Sequence, residues 1–127
     1  MSIAVNVEDL PTALAGYGYA YLLTVGDGPR AHVVAVTPVL RDGRLRVETP
    51  GRRTLANAAQ HPQVTLAFPP PDPGGYTLIV DGTAAGEDGA LTVTPSSAVL
   101  HRPATPGAPP SATGCGSDCH HVDVQGG

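Results

Sequence analysis

An Asp-Gly pair at Asp42-Gly43 constrains this chain more than any other local feature. Apolar-rich, strand-favouring segments flank it, and Asp-Gly between such segments specifies a tight hairpin. Before it, Ala31–Leu40 is apolar on both faces, with Val33, Ala35 and Val39 on one and Val34, Val36 and Leu40 on the other. That reads as a strand covered on both sides. After it, Leu45–Thr49 alternates, with Leu45 and Val47 inward and Arg46 and Glu48 outward. Pro50-Gly51 then breaks the strand, and a short helix is predicted over Arg52–His61, its apolar side made by Leu55, Ala58 and Ala59, with Pro62 beyond its end.

The rest of the chain reads around this unit. Val7–Gly16 has the spacing and capping residues of a short helix. Strands are predicted at Tyr17–Val25, Gln63–Phe68, Tyr76–Ala85 and Ala90–Thr94, and Pro69–Gly75 is a connector. From Pro95 onward periodicity fades. The expectation is a mainly β (α+β) fold: a six-stranded antiparallel split β-barrel with one or two short helices over residues 1–102. A disordered Pro/Gly-rich tail follows over residues 103–127.

Charge is unevenly placed. Six of the seven basic residues fall between Arg30 and Arg53, opposed there by Asp42 and Glu48, a net of +4 in a chain whose total is −4. A local basic stretch in an acidic chain suits a small anionic partner, and no nucleic-acid partner is expected. No apolar run approaches the roughly 20 residues that span a bilayer, and the N-terminus lacks the pattern of a signal peptide. Both cysteines lie in the tail. A cytoplasmic protein without membrane association is the expectation.

Two constellations could carry chemistry. Arg52 and Arg53 stand at a predicted helix start, where two cations are unfavourable unless an anion binds. In the tail, Cys115, Cys119, His120 and His121 are zinc-ligand types. Adjacent histidines diverge, however, and the spacing departs from structural zinc sites, so these read as incidental ligands rather than a metal site. No P-loop and no Ser-His-Asp or Cys-His arrangement is present.

The order of elements resembles the pyridoxamine-5′-phosphate-oxidase-like FMN-binding split barrels. The residues that carry it are YLLTV, a Gly-rich turn, an apolar strand, Asp-Gly, a strand ending in Thr, GRRTLANAAQHPQVTLAF and LIVDGTA, over about Asp9–Leu100. The resemblance implies a homodimer with flavin in a groove between subunits. It puts the phosphate near Thr49, Arg52, Arg53 and Thr54, with Asn57 one turn further along the helix and His32 as a basic phosphate contact. It puts the ring near Val34, Val36 and Val47. The family often has Lys where Thr54 stands, and the C-terminal Arg-and-His substrate motif of the namesake oxidases is missing. A related branch takes the deazaflavin coenzyme instead of FMN. The resemblance therefore implies a flavin-dependent oxidoreductase acting on a small-molecule substrate, or a flavin- or haem-binding module without turnover. A structural protein with a metal-binding tail is the reading that needs no cofactor.

Overall fold

One long strand organises the sheet. In the computed structural model, which describes residues 2–104, Ala90–His101 form β8. Along one edge it pairs with β7, Thr77–Glu87. Its other edge is shared: the first half pairs with β5, Arg44–Val47, and the second half with β1, Ser2–Val5. The remaining strands are β2 (Ala20–Val25), β3 (Ala31–Val36), β4 (Val39–Arg41) and β6 (Gln63–Phe68). The sheet runs β3-β2-β6-β7-β8-β5-β4, with β1 on β8, and every pairing is antiparallel. A 3₁₀ turn at Val7–Asp9 leads into α1, Leu10–Leu14, and α2 spans Arg52–Gln60.

Eight strands are therefore present among the described residues, where the sequence predicted six, and each difference has a local cause. The predicted strand Ala31–Leu40 is two strands, because Thr37-Pro38 interrupts it and proline cannot supply a ladder N–H. Ser2–Val5 is a strand that only its pairing with β8 makes evident. The predicted break at Pro95 is instead a bulge. The register passes from Asp81↔Ser97 to Gly82↔Pro95, leaving Ser96 unpaired, and the Ser96 hydroxyl donates to the Asp81 carbonyl at 3.1 Å. Pro95 falls between the β5-paired and β1-paired halves of β8, where a missing N–H is tolerated. Opposite it, a Cβ on Gly82 would lie 2.5 Å from the Thr94 carbonyl oxygen, so only glycine allows this approach. The segment 105–127, with Cys115, Cys119, His120 and His121, lies outside the described residues.

The hairpin turn read from Asp42-Gly43 is formed as such, and Asp88-Gly89 makes a second of the same kind between β7 and β8. Asp42 and Gly43 have φ of 53° and 77°, and Asp88 and Gly89 have 52° and 81°, the left-handed pairs of tight hairpins. Inside the barrel lie Leu22, Leu45, Val47, Leu66, Phe68, Leu78, Val80, Leu91 and Val93, and Leu10 of α1 is buried in the same core. Each such side chain contributes about 1.5–3 kcal/mol on full burial. The predicted alternation of β5 and β6 holds: Leu45, Val47, Val64, Leu66 and Phe68 are all buried.

The two faces of β3 differ. Val34 and Val36 are half-buried, while Val33 is 52% exposed. The cross-strand pairs Tyr21↔Ala35 and Leu23↔Val33, with Tyr21↔Ala67 on the other side of β2, join these residues into one apolar outer surface. Tyr19 extends it, meeting Tyr21 edge-to-face at 5.5 Å between ring centroids. The face expected to be covered on β3 is therefore uncovered among the described residues.

Candidate functional site

The helix α2 presents an unexpected face to the barrel. Its buried residues are Thr54, Asn57 and Ala58, while Ala59 of the predicted apolar side is exposed. A 54-57-58 stripe is one helical face, and two of its three members are polar. Asn57, 8% exposed, donates through Nδ2 to the Thr24 hydroxyl at 3.1 Å, and Thr24 is itself 1% exposed. This buried bond pins α2 to the end of β2. The adjacent Gly26 permits it, since a Cβ there would lie 2.8 Å from Asn57 Oδ1.

Gly26 begins the turn into β3, which its own N–H closes by donating to the Arg30 carbonyl at 3.2 Å. Turn, β3 start and α2 together line a pocket of about 310 Å³, made by Gly26, Asp27, Arg30, Ala31, His32, Arg53 and Asn57. His32 faces Thr24 directly across the β2–β3 ladder. Arg30 and Arg53 have no carboxylate partner among the described residues. Two free guanidinium forks, an imidazole and an amide converge on one cavity, a donor set suited to an oxyanion. His32, Val34 and Val36 alternate onto one side of β3 and are all half-buried, so an apolar strip leads away from the polar pocket.

The residues predicted to hold a ligand are thus distributed. His32, Arg53 and Asn57 meet in the pocket. Arg52, the first residue of α2, is exposed and does not line it. Thr49 is exposed at the end of β5 with φ of 44°. Thr54 is 1% exposed and does not line the pocket, and its hydroxyl has no hydrogen-bond partner among the described residues. An orphaned buried hydroxyl at a helix start, where backbone N–H groups are also free, is the kind of group an anion would satisfy. Val47 is packed in the core.

The basic stretch is divided in space. Arg41, Arg44 and Arg46 border a separate, open cleft of about 190 Å³ with Asp42, Glu87 and Thr92. There Arg46 is committed to acids: its Nε donates to Glu48 Oε2 at 2.6 Å, and its guanidinium lies 3.8 Å from Glu87. The Glu48 hydrogen bond, and then its charge, hold Arg46 above the usual arginine range. The Thr92 hydroxyl also donates to Glu87 at 2.7 Å. Arg30 was legible only as part of the basic stretch, and Asp27 only as a turn residue. The signal for both is the crowding of charged side chains around a Gly-rich turn.

Among the described residues no group of three metal-ligand side chains converges, and no helix is long and apolar enough to cross a membrane. No family model matches the chain. Two uncharacterized mycobacterial proteins do, Mb0449c of Mycobacterium bovis and MT0457 of Mycobacterium tuberculosis. Each is 45% identical over an alignment 131 positions long that covers 91% of this chain and 92% of the relative. Among solved structures, a FAD-binding protein of Mesorhizobium loti superposes with a TM-score of 0.62 at 12% identity, over 80% of this chain and 99% of that one. A Clostridium acetobutylicum protein of the pyridoxinephosphate oxidase family, related to general stress protein 26, gives 0.58 at 14% identity, over 77% and 91%. An F420 reductase gives 0.58 at 18% identity, over 68% and 93%. The chain belongs to the same family as the two mycobacterial proteins, and its fold is that of the pyridoxamine 5′-phosphate oxidase-like, FMN-binding split barrels.

Proposed function

We propose that this protein is a flavin-dependent oxidoreductase that binds FMN with its phosphate in the Arg30–His32–Arg53 pocket and acts, as a homodimer, on a small-molecule substrate. The observation that carries this reading is the convergence of Arg30 and Arg53, neither of them ion-paired among the described residues, with His32 and the start of α2. Such a constellation is destabilising without an anion and favourable with one. The FAD-binding and F420-reductase neighbours of the same fold support a flavin-type cofactor.

The pocket residues fit a phosphate monoester. Arg30 and Arg53 would supply charge-assisted donors and His32 a further one. Asn57 would act by position, holding α2 against β2 through Thr24. The half-buried strip of Val34 and Val36 would offer an apolar surface to the ring. Bound there, the flavin would supply the electron-transfer chemistry, and the protein binding, orientation and electrostatics.

The uncovered apolar face of β2, β3 and β6, with Tyr19, Tyr21, Val25 and Val33 exposed, supports a second copy as its cover. The deciding experiment is the visible spectrum and mass of the small molecule that co-purifies with the protein. FMN, bleached reversibly by a reductant, is the expected result. A deazaflavin coenzyme would keep the fold-level reading and replace the cofactor, and a colourless protein that takes up no flavin would overturn the proposal.

A further inference from the structure

The open cleft beside the β4–β5 hairpin is a second place where arginines lack acids. Leu45 and Val47 are buried inside the barrel, so Arg44 and Arg46 project from its outer surface. Arg41 stands directly opposite Arg44 and projects from the same face. Thr92, opposite Arg46 and between the buried Leu91 and Val93, also faces outward, yet it is only 8% exposed. A polar network closes over it: the Thr92 hydroxyl donates to Glu87, Glu87 lies against the Arg46 guanidinium, and Arg46 donates to Glu48. This network forms a fixed floor to the cleft and occupies Arg46, Glu48 and Glu87 with one another. Arg41 and Arg44 are left over. Both are exposed, neither has an ion pair among the described residues, and Asp42, in the turn between them, pairs with neither. Like charges directly opposite each other across a ladder are destabilising, and a bound anion reverses that sign.

We infer that Arg41 and Arg44 hold the phosphoryl group of a small phosphorylated ligand, at a site separate from the pocket between the β2–β3 turn and α2. The geometry favours a tetrahedral dianion over a carboxylate. A carboxylate has two oxygens in one plane, and a single guanidinium fork satisfies both. A phosphoryl group presents oxygens in several directions, takes one fork from each strand of the hairpin, and matches two uncompensated positive charges. Arg46, committed to Glu48 and Glu87, shapes the floor and is not one of the ligand's partners.

The test is a backbone-amide NMR titration of the full chain with inorganic phosphate, at constant ionic strength held with chloride, repeated with acetate. In wild type the Gly43, Arg44 and Thr92 amides are expected to shift and saturate, with a midpoint of about 1 mM or below. Acetate, which engages one fork, is expected to bind there about tenfold more weakly. Arg41→Ala and the longer, uncharged Arg41→Gln are each expected to weaken phosphate at these amides by at least about tenfold. Without phosphate both variants should melt at or above the wild-type temperature, since a repulsion is removed. Arg53→Ala, in the other pocket, is expected to leave the midpoint at Gly43, Arg44 and Thr92 unchanged. Shifts that rise without saturating, that acetate matches, that survive loss of Arg41, or that appear only around Gly26 and Asn57 would each overturn the inference.

Discussion

Adding one methyl group at Gly26 should cost this protein more than its surface position suggests. An ideal Cβ there lies 2.8 Å from Asn57 Oδ1, 3.3 Å from Cγ and 3.4 Å from Nδ2. To make room the amide must move by several tenths of an ångström, and its Nδ2 is the donor to the buried Thr24 hydroxyl. Losing that bond in a buried setting costs about 1–3 kcal/mol. The lower chain entropy of alanine returns about 0.4–1 kcal/mol. The net loss is about 0.5–2 kcal/mol, which at about 4 °C per kcal/mol for a domain of this size lowers Tm by about 2–8 °C. Asn57→Ala removes the same bond by another route and should cost about 1–3 kcal/mol. In that background Gly26→Ala meets no amide and should be neutral or slightly stabilising. Urea denaturation of the four proteins gives the coupling, and the double mutant should be more stable than additivity predicts by about 1–2 kcal/mol. Additive losses within about 0.3 kcal/mol would show that Gly26 and Asn57 do not act as one clamp.

Arg53→Ala should weaken FMN by at least about tenfold and leave riboflavin unchanged, whereas Arg52→Ala should change neither by more than about threefold, as read by quenching of flavin fluorescence. Removing a cation from the first turn should also leave the unliganded protein as stable or more so, which separates lost binding from lost folding. Gly82→Ala forces a Cβ against the Thr94 carbonyl oxygen at 2.5 Å and Val93 Cγ1 at 2.8 Å. Overpacking of about 1–3 kcal/mol should lower Tm by about 4–12 °C in a thermal melt. Light scattering at micromolar concentration should report a dimer mass, and Val33→Glu, on the uncovered face, should shift it to monomer; a wild type that is monomeric throughout that range would contradict the proposed assembly.

Elements with strong local grammar were legible in the sequence. The Asp42-Gly43 hairpin, the alternation of β5 and β6 and the helix α2 follow from turn chemistry and period, which need no distant partner. What was not legible depends on pairing. Ser2–Val5 becomes a strand because the second half of β8 has an open edge, and Pro95 sits inside β8 because Gly82 and Ser96 absorb it as a bulge. The site divides the same way. Resemblance brought forward His32, Arg53 and Asn57, which converge. It could not show that Arg41, Arg44 and Arg46, close in sequence to Arg53, belong to another cleft, because that separation is made by the β4–β5 hairpin. Nor could helical periodicity show that Asn57 is buried: a polar residue on a buried face is explained only by Thr24, thirty-three positions away.

The ratio of FMN to riboflavin affinity in the wild-type protein isolates the phosphate site. The two ligands share ring and polyol and differ in the phosphate alone, and the proposed phosphate site is made by Arg30, His32 and Arg53. With two guanidinium partners the ratio should exceed about tenfold at low salt and narrow as inorganic phosphate is added to compete. Equal affinity for FMN and riboflavin, or a ratio indifferent to added phosphate, would contradict the assignment of this pocket.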